Sequence, residues 1–312
     1  MPTKSTTTGR VPAFMGTTTA KTPKGADLAV FGACHGTPYK SIDNRVHQTA
    51  PDAFRIALKH DAEWVSHWDW DFEGPLLPSG FKAVDLGNLA TKSKDSRNNR
   101  EKIRKTTASI LEAGAVPLMF GGDDSTPIAF IEGFAGAAPI TILQLDAHID
   151  WRHEREGETM GFSSTMRRAS EQSHVWRIVQ AGARGIGSAR EQEVQDARDW
   201  GSRIITSRSI HRDGINIILD HIEPDSDCVI CLDLDVLDSS SMPAVAAPSP
   251  GGLTYLQLTD LLAAVAAKAR IAGFSMVEFV EKRDLTGTSA FTAARIASHV
   301  MGHVARAKKF HT

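Results

Sequence analysis

The chain has 312 residues, 41% of them hydrophobic and 23% charged, enough apolar material for a sizeable core in one α/β domain. Lys plus Arg number 35 against 37 Asp plus Glu, a formal charge of −2. The basic excess that a nucleic-acid or anionic-membrane partner requires is therefore absent. No apolar run approaches the roughly 18 residues that a membrane span needs.

Residues 1–26 are rich in Thr, Lys and Pro and hold no acid before Asp27, which predicts a flexible arm ahead of a domain over 27–312. Beyond it the apolar patterning predicts, in chain order, a strand at 27–32, a helix at 50–60, a strand at 82–86 and a helix at 95–113. A strand at 116–120, a helix at 126–134, a strand at 140–145 and a helix at 163–171 come next. Then follow a strand at 177–181, a helix at 190–200 and strands at 203–206 and 228–234. A helix at 256–268, a strand at 273–279 and a closing helix at 291–308 complete the chain. Most of these strands are continuous Val, Ile and Leu runs, as when helices cover both faces of a sheet. Strand–helix alternation with short links predicts an α/β fold, a single-domain three-layer doubly wound parallel sheet.

Three cysteines, Cys34, Cys228 and Cys231, are too few for a disulfide framework. Cys228 and Cys231 have CxxC spacing, but they lie in a strand, where residues i and i+3 face opposite sides and cannot share one ion. With no secretory h-region near the start, the expected setting is reduced and cytoplasmic. Trp64, Trp68 and Trp70 form a cluster that reads as packing or a subunit contact.

Polar clusters sit at the carboxyl ends of four expected strands, where ligands gather in such sheets. They are Gly121-Gly122-Asp123-Asp124-Ser125, then Asp146-Ala147-His148-Ile149-Asp150, then Asp233-Leu234-Asp235-Val236-Leu237-Asp238, and Glu278. Asp124 or Ser125, just before Pro127, also fits a helix N-cap. The period-two spacing of Asp146, His148 and Asp150 points all three to one side of an extended segment, and Asp233 and Asp235 repeat it. Burying this many unpaired carboxylates is expensive, and divalent cations are the natural relief.

These motifs in this order resemble the ureohydrolases, which include arginase, agmatinase and guanidinobutyrase, from about residue 27 onward. The segments Gly36-Thr37-Pro38 and 50–55 fit the family's early motifs. The resemblance implies an arginase-like fold and two divalent metal ions. Asp124, Asp146, Asp150 and Asp233 would hold one ion; Asp146, His148, Asp233 and Asp235 would hold the other. Asp238 matches a position just outside the ligands, and Glu278 matches the acid that receives a substrate guanidinium. The implied reaction is hydrolysis of a guanidino C–N bond, releasing urea and an amine. The implied assembly is a trimer or hexamer.

Three departures from the family pattern bear on substrate. Asp124 stands where the family has a histidine ligand. Ser239 replaces the proline after DxDxxD, and the Glu-x-Asn-Pro motif reads Glu278-Phe279-Val280-Glu281. The histidine that follows DAHxD is absent from Gly161–Arg168, although His35 and His47 lie in early loops near family substrate positions. The GGDDS and DAHIDWR motifs are similar to an agmatinase-like branch. A carboxylate-rich set favours hard ions such as Mn²⁺, with Ni²⁺ as the alternative that some relatives suggest. The expected substrate is a small cationic guanidino compound resembling agmatine. Guanidine or a biguanide is the alternative. A third reading is a catalytically silent subunit supporting an active paralogue.

Overall fold

The computed structural model describes residues 11–187 and 189–307. Eleven strands occur among them: β1 Thr18–Thr19, β2 Leu28–Ala33, β3 Trp68–Asp69, β4 Gly74–Pro75, β5 Ala83–Asn88, β6 Val116–Gly121, β7 Ile140–Leu145, β8 Val175–Ala183, β9 Arg203–Thr206, β10 Asp227–Asp233 and β11 Arg270–Val277. The small pair β3–β4 forms an antiparallel hairpin. The other nine make one sheet in the order β1-β5-β2-β6-β11-β10-β7-β8-β9. Every neighbour in it is parallel.

Each central strand feeds two cores because alternate side chains face opposite sides of the sheet. On β6, Leu118 and Phe120 enter one core and Met119 the other. The first core is closed by the helices Ala50–Ala57, Tyr255–Lys268 and Thr288–Ala307. The second is closed by Ser96–Glu112, Thr126–Glu132, Thr165–Ser170 and Glu191–Trp200. This is the three-layer arrangement expected from the continuous apolar strands. Cys228 and Cys231 fall in opposite cores as free thiols, so their spacing serves packing.

The helix starts follow local chemistry. Thr254 accepts from the backbone of Gln257, whose side chain returns to Thr254, so a capping box opens the helix Tyr255–Lys268. The helix Glu191–Trp200 ends at Gly201 in the left-handed region, φ +102°.

The sequence expectation of a flexible arm over 1–26 does not hold for its second half. Phe14 is fully buried, its ring centroid 4.8 Å from that of Phe120. Its amide donates to Asp85 Oδ2 at 2.9 Å, and β1 extends the sheet beside β5. Two apolar residues, Phe14 and Met15, outweigh the polar composition around them. Residues 1–10 lie outside the described residues, as does the last position of the helix expected at 291–308. No helix among the described residues is long and apolar enough to cross a membrane.

Candidate metal centre

Four strands adjacent in the sheet, β6, β11, β10 and β7, end at one place. Asp123 and Asp124 follow β6, Glu278 follows β11, Asp233 ends β10 with Asp235 in the next turn, and Asp146 to Asp150 follow β7. Asp123, Asp124, His148, Asp150, Asp233, Asp235 and Glu278 line a cavity of about 350 Å³, within the range of small-molecule sites, and Asp146 lies behind them. Tight backbone is needed to bring the loops this close. Gly182, φ +116°, lies so near the DAHID loop that a Cβ there would sit 2.6 Å from the Asp146 carbonyl oxygen. Asp150 and Glu278 also take positive φ, +42° and +70°, a conformation that costs a non-glycine residue energy and concentrates at functional sites.

Two clusters of potential ligands result. In Asp146, His148 and Asp235, and again in Asp124, Asp146 and Asp150, the ligand atoms lie within 4.8 Å of one another. His148 Nδ1 stands 3.1 Å from Asp235 Oδ2 and 3.3 Å from Asp146 Oδ1. Gln144 on β7 donates to Asp146 Oδ2 and Asp150 Oδ2, both at 2.8 Å. The amide of Ala147 donates to Asp235 Oδ1 at 2.9 Å, and the amide of Asp235 to Asp233 Oδ1 at 2.8 Å. These bonds fix the carboxylates without neutralising them.

The electrostatics show the strain. Burial first, then the neighbouring carboxylates, push Asp124, Asp150 and Asp233 well above the usual carboxylate range. Burial and Asp146 likewise raise Asp235. For Asp146 burial works the same way, but hydrogen bonds and charge from His148 prevail and hold it low. His148 in turn is pushed up to about 12: burial opposes its charge, and Asp146 with Asp235 overcomes that opposition. Asp124 Oδ2 is buried with no hydrogen-bond partner. An uncompensated carboxylate cluster with an orphaned oxygen fits divalent cations, which replace lost hydration and cancel the repulsion. The donor set of carboxylates with one imidazole suits hard or borderline ions.

The helix-cap reading of Asp124 finds no support, because Ser125 takes the N-cap position and no side chain caps that end. Asp238, expected beside the ligands, is not brought to the cavity. Its carboxylate accepts from Ser240 N and Oγ and from the amides of Gly251 and Gly252, so it ties down a loop. Glu278 is brought in: its Oε1 accepts from the Asp124 amide at 2.8 Å, leaving Oε2 toward His47.

His47, only an outlying candidate from sequence, proves central to this wall. Its Nδ1 lies 3.1 Å from the Phe279 carbonyl oxygen, which can only accept, so Nδ1 carries hydrogen. Its Nε2 lies 3.4 Å from Glu278 Oε2, an approach favourable only with a proton between the two. Burial raises Glu278 to about 6, against the pull of His47. No histidine comes from the segment after DAHID; Phe162 and Ser163 line the cavity there. His35 instead bonds Thr91 and Gln48. Sequence reasoning also missed Gln144 and the pair Asn44–Asp123, in which Asn44 donates to the buried Asp123 carboxylate. Period two along β7 would have placed Gln144 on the same side as Asp146.

Known proteins resemble this chain in sequence and in fold. The Arginase family model matches residues 26–302. This chain belongs to the arginase family. It is accordingly a metal-dependent hydrolase acting on C–N bonds of amidino groups, on the agmatinase-like branch. It is 27% identical over 241 residues to N(1)-aminopropylagmatine ureohydrolase of Thermococcus kodakarensis, covering 76% of this chain and 78% of that one. It is 29% identical over 274 residues to formimidoylglutamase of Halobacterium salinarum, 85% of each chain. The solved structure of proclavaminate amidinohydrolase from Streptomyces clavuligerus superposes with a TM-score of 0.84 at 24% identity, covering 96% of this chain and 98% of that one.

Proposed function

We propose that the protein cleaves a guanidino C–N bond of a small cationic, agmatine-like substrate, releasing urea and an amine. The observation that carries this reading is the charge of the cavity wall. Asp43, Asp123, Asp124, Asp150, Asp233, Asp235 and Glu278 line it, with no lysine or arginine among the described lining residues. With four of these carboxylates committed to cations and Asp43 paired with Arg45, Glu278 is left to receive a guanidinium, while no lining lysine or arginine offers a partner to a substrate carboxylate. Ile42, Val46, Phe162, Ala246 and Ala247 supply apolar wall for the substrate's methylenes.

Asp124, Asp146, His148, Asp150, Asp233 and Asp235 would hold two divalent cations, Mn²⁺ in preference to Ni²⁺ on the strength of their carboxylates. Bound there, the cations acidify water to supply a nucleophile near neutral pH. Glu278 Oε2 would accept from the guanidinium through the lone pair it keeps beside His47, a charge-assisted hydrogen bond. His47 holds that carboxylate in place and keeps a proton at hand beside it. The free thiols support a cytoplasmic setting, and a trimer or hexamer is the assembly we propose.

The test is urea release by purified protein, with Mn²⁺ and Ni²⁺ compared, against agmatine, guanidine, a biguanide and a guanidino acid. Preferred turnover of agmatine-like amines is expected. Preferred turnover of the guanidino acid would refute the charge argument.

A further inference from the structure

Arg184, the first residue after β8, makes an unusual set of bonds for a residue outside the cavity wall. Its guanidinium donates to the carbonyl oxygens of Asp235, Val236 (3.3 Å) and Leu237 (3.1 Å), three successive peptides of the turn that presents Asp235. It also donates to the Ser249 carbonyl from Nη2 (2.8 Å) and Nε (3.2 Å), and to its neighbour Gly182 at 3.2 Å. Its own amide donates to the Ala147 carbonyl at 3.1 Å, and the Ala147 amide in turn holds Asp235 Oδ1. Arg184 thus joins three segments: its guanidinium ties the turn after Asp233 to the 246–249 segment, whose Ala246 and Ala247 line the cavity, and its backbone amide holds the DAHID loop.

Two features make this more than loop packing. The acceptors are carbonyls spread over a short turn and a second segment. Only a planar fork of five N–H donors can serve them together. The guanidinium charge also interacts with the carboxylates of Asp235, Asp146, Asp238 and Asp233, so it offsets part of the negative charge on one side of the cluster. Its hydrogen bonds reach neither the 120–125 segment nor Asp150, which belong to the other ligand cluster.

We infer that Arg184 is a positioning residue for one half of the metal centre: it sets the Asp235 turn against His148, so that the Asp146–His148–Asp235 position binds its cation tightly and the Asp124–Asp146–Asp150 position does not depend on it. The inference rests on the two-cation reading above. Through Ser249 it also ties that position to the substrate wall, which makes the occupancy of one cation and the shape of the cavity parts of one structure.

The test is Mn²⁺ titration by calorimetry of chelator-treated wild-type protein, Arg184→Met and Arg184→Lys, with circular dichroism as the fold control. Wild type should bind two ions. Arg184→Met should weaken one binding step by about 10- to 100-fold, as loss of groups that orient ligands does, and leave the other within about threefold. Arg184→Lys, which keeps the charge and loses the fork, should fall between them, and in it KM should rise more than kcat falls. Should Arg184→Met not fold, the same selective weakening must appear in Arg184→Lys. Unchanged steps, or equal weakening of both, would overturn the role of Arg184 alone. A wild-type protein that binds fewer than two ions would overturn the two-cation reading and this inference with it.

Discussion

Replacing Asp124 by Asn should move stability in opposite directions with and without metal. In the absence of cations the Asp124 carboxylate is buried among Asp150, Asp146 and Glu278, and its Oδ2 has no partner. Asn has the same shape, no charge, and an amide that can donate to the neighbouring carboxylates. An unsatisfied buried polar group costs about 1–3 kcal/mol, so the variant should gain about that much in chelator. For a chain of 312 residues that is a Tm rise of about 1.5 °C per kcal/mol. With cations present the sign reverses. A neutral amide oxygen coordinates weakly, and an affinity lowered about 100-fold removes about 2.7 kcal/mol of ligand-derived stability, against a gain of about 2 kcal/mol at the middle of its range. Differential scanning calorimetry of both proteins, in chelator and in millimolar Mn²⁺, reads all four values. The variant should melt higher in chelator, lower in Mn²⁺, and turn over substrate orders of magnitude more slowly. A variant that melts lower than wild type in chelator, or gains as much from Mn²⁺, would refute the reasoning.

Three further outcomes are expected. Glu278→Gln should keep both metals and cut kcat/KM by about 10²-fold or more, because a charged acceptor for the guanidinium is lost; loss of metal instead would show that Glu278 serves the ions. Phe14→Ala should cost about 3–5 kcal/mol by calorimetry, the range for emptying a buried aromatic site, whereas a change under 1 kcal/mol would return residues 11–26 to the status of an arm. Sedimentation at micromolar concentration should give a trimer or hexamer. Trp70, 84% exposed beside the exposed Trp68 and Trp64, offers one apolar surface for that contact, and a monomer would contradict it.

The sheet was legible because its strands are buried on both faces and therefore written as apolar runs; all eight expected strands are present. The ninth, Thr18–Thr19, carries no apolar pattern, since an edge strand of two exposed residues buries nothing. The helices Ser207–Asp213 and Asn216–Leu219 also escaped notice, each too short to show a period. At the site, Asp146, His148, Asp150, Asp233 and Asp235 were readable from their motif spacing, although the structure places Asp146–Asp150 in the loop after β7 and Asp235 in a turn rather than on extended strands. His47 was not, because the loop that carries it reaches Glu278 across 231 positions of sequence, and only the tertiary fold joins them. Asp238 misled for a related reason. It has the motif's spacing, but the turn after Asp235 points its carboxylate at the amides of Gly251 and Gly252.

The most direct test of the two-cation centre is metal content by mass spectrometry on protein loaded with Mn²⁺ and freed of excess. Two tightly held ions per chain are predicted, from six ligand residues gathered at the ends of adjacent strands. One ion or none would contradict the centre described here and leave the silent-subunit reading in its place.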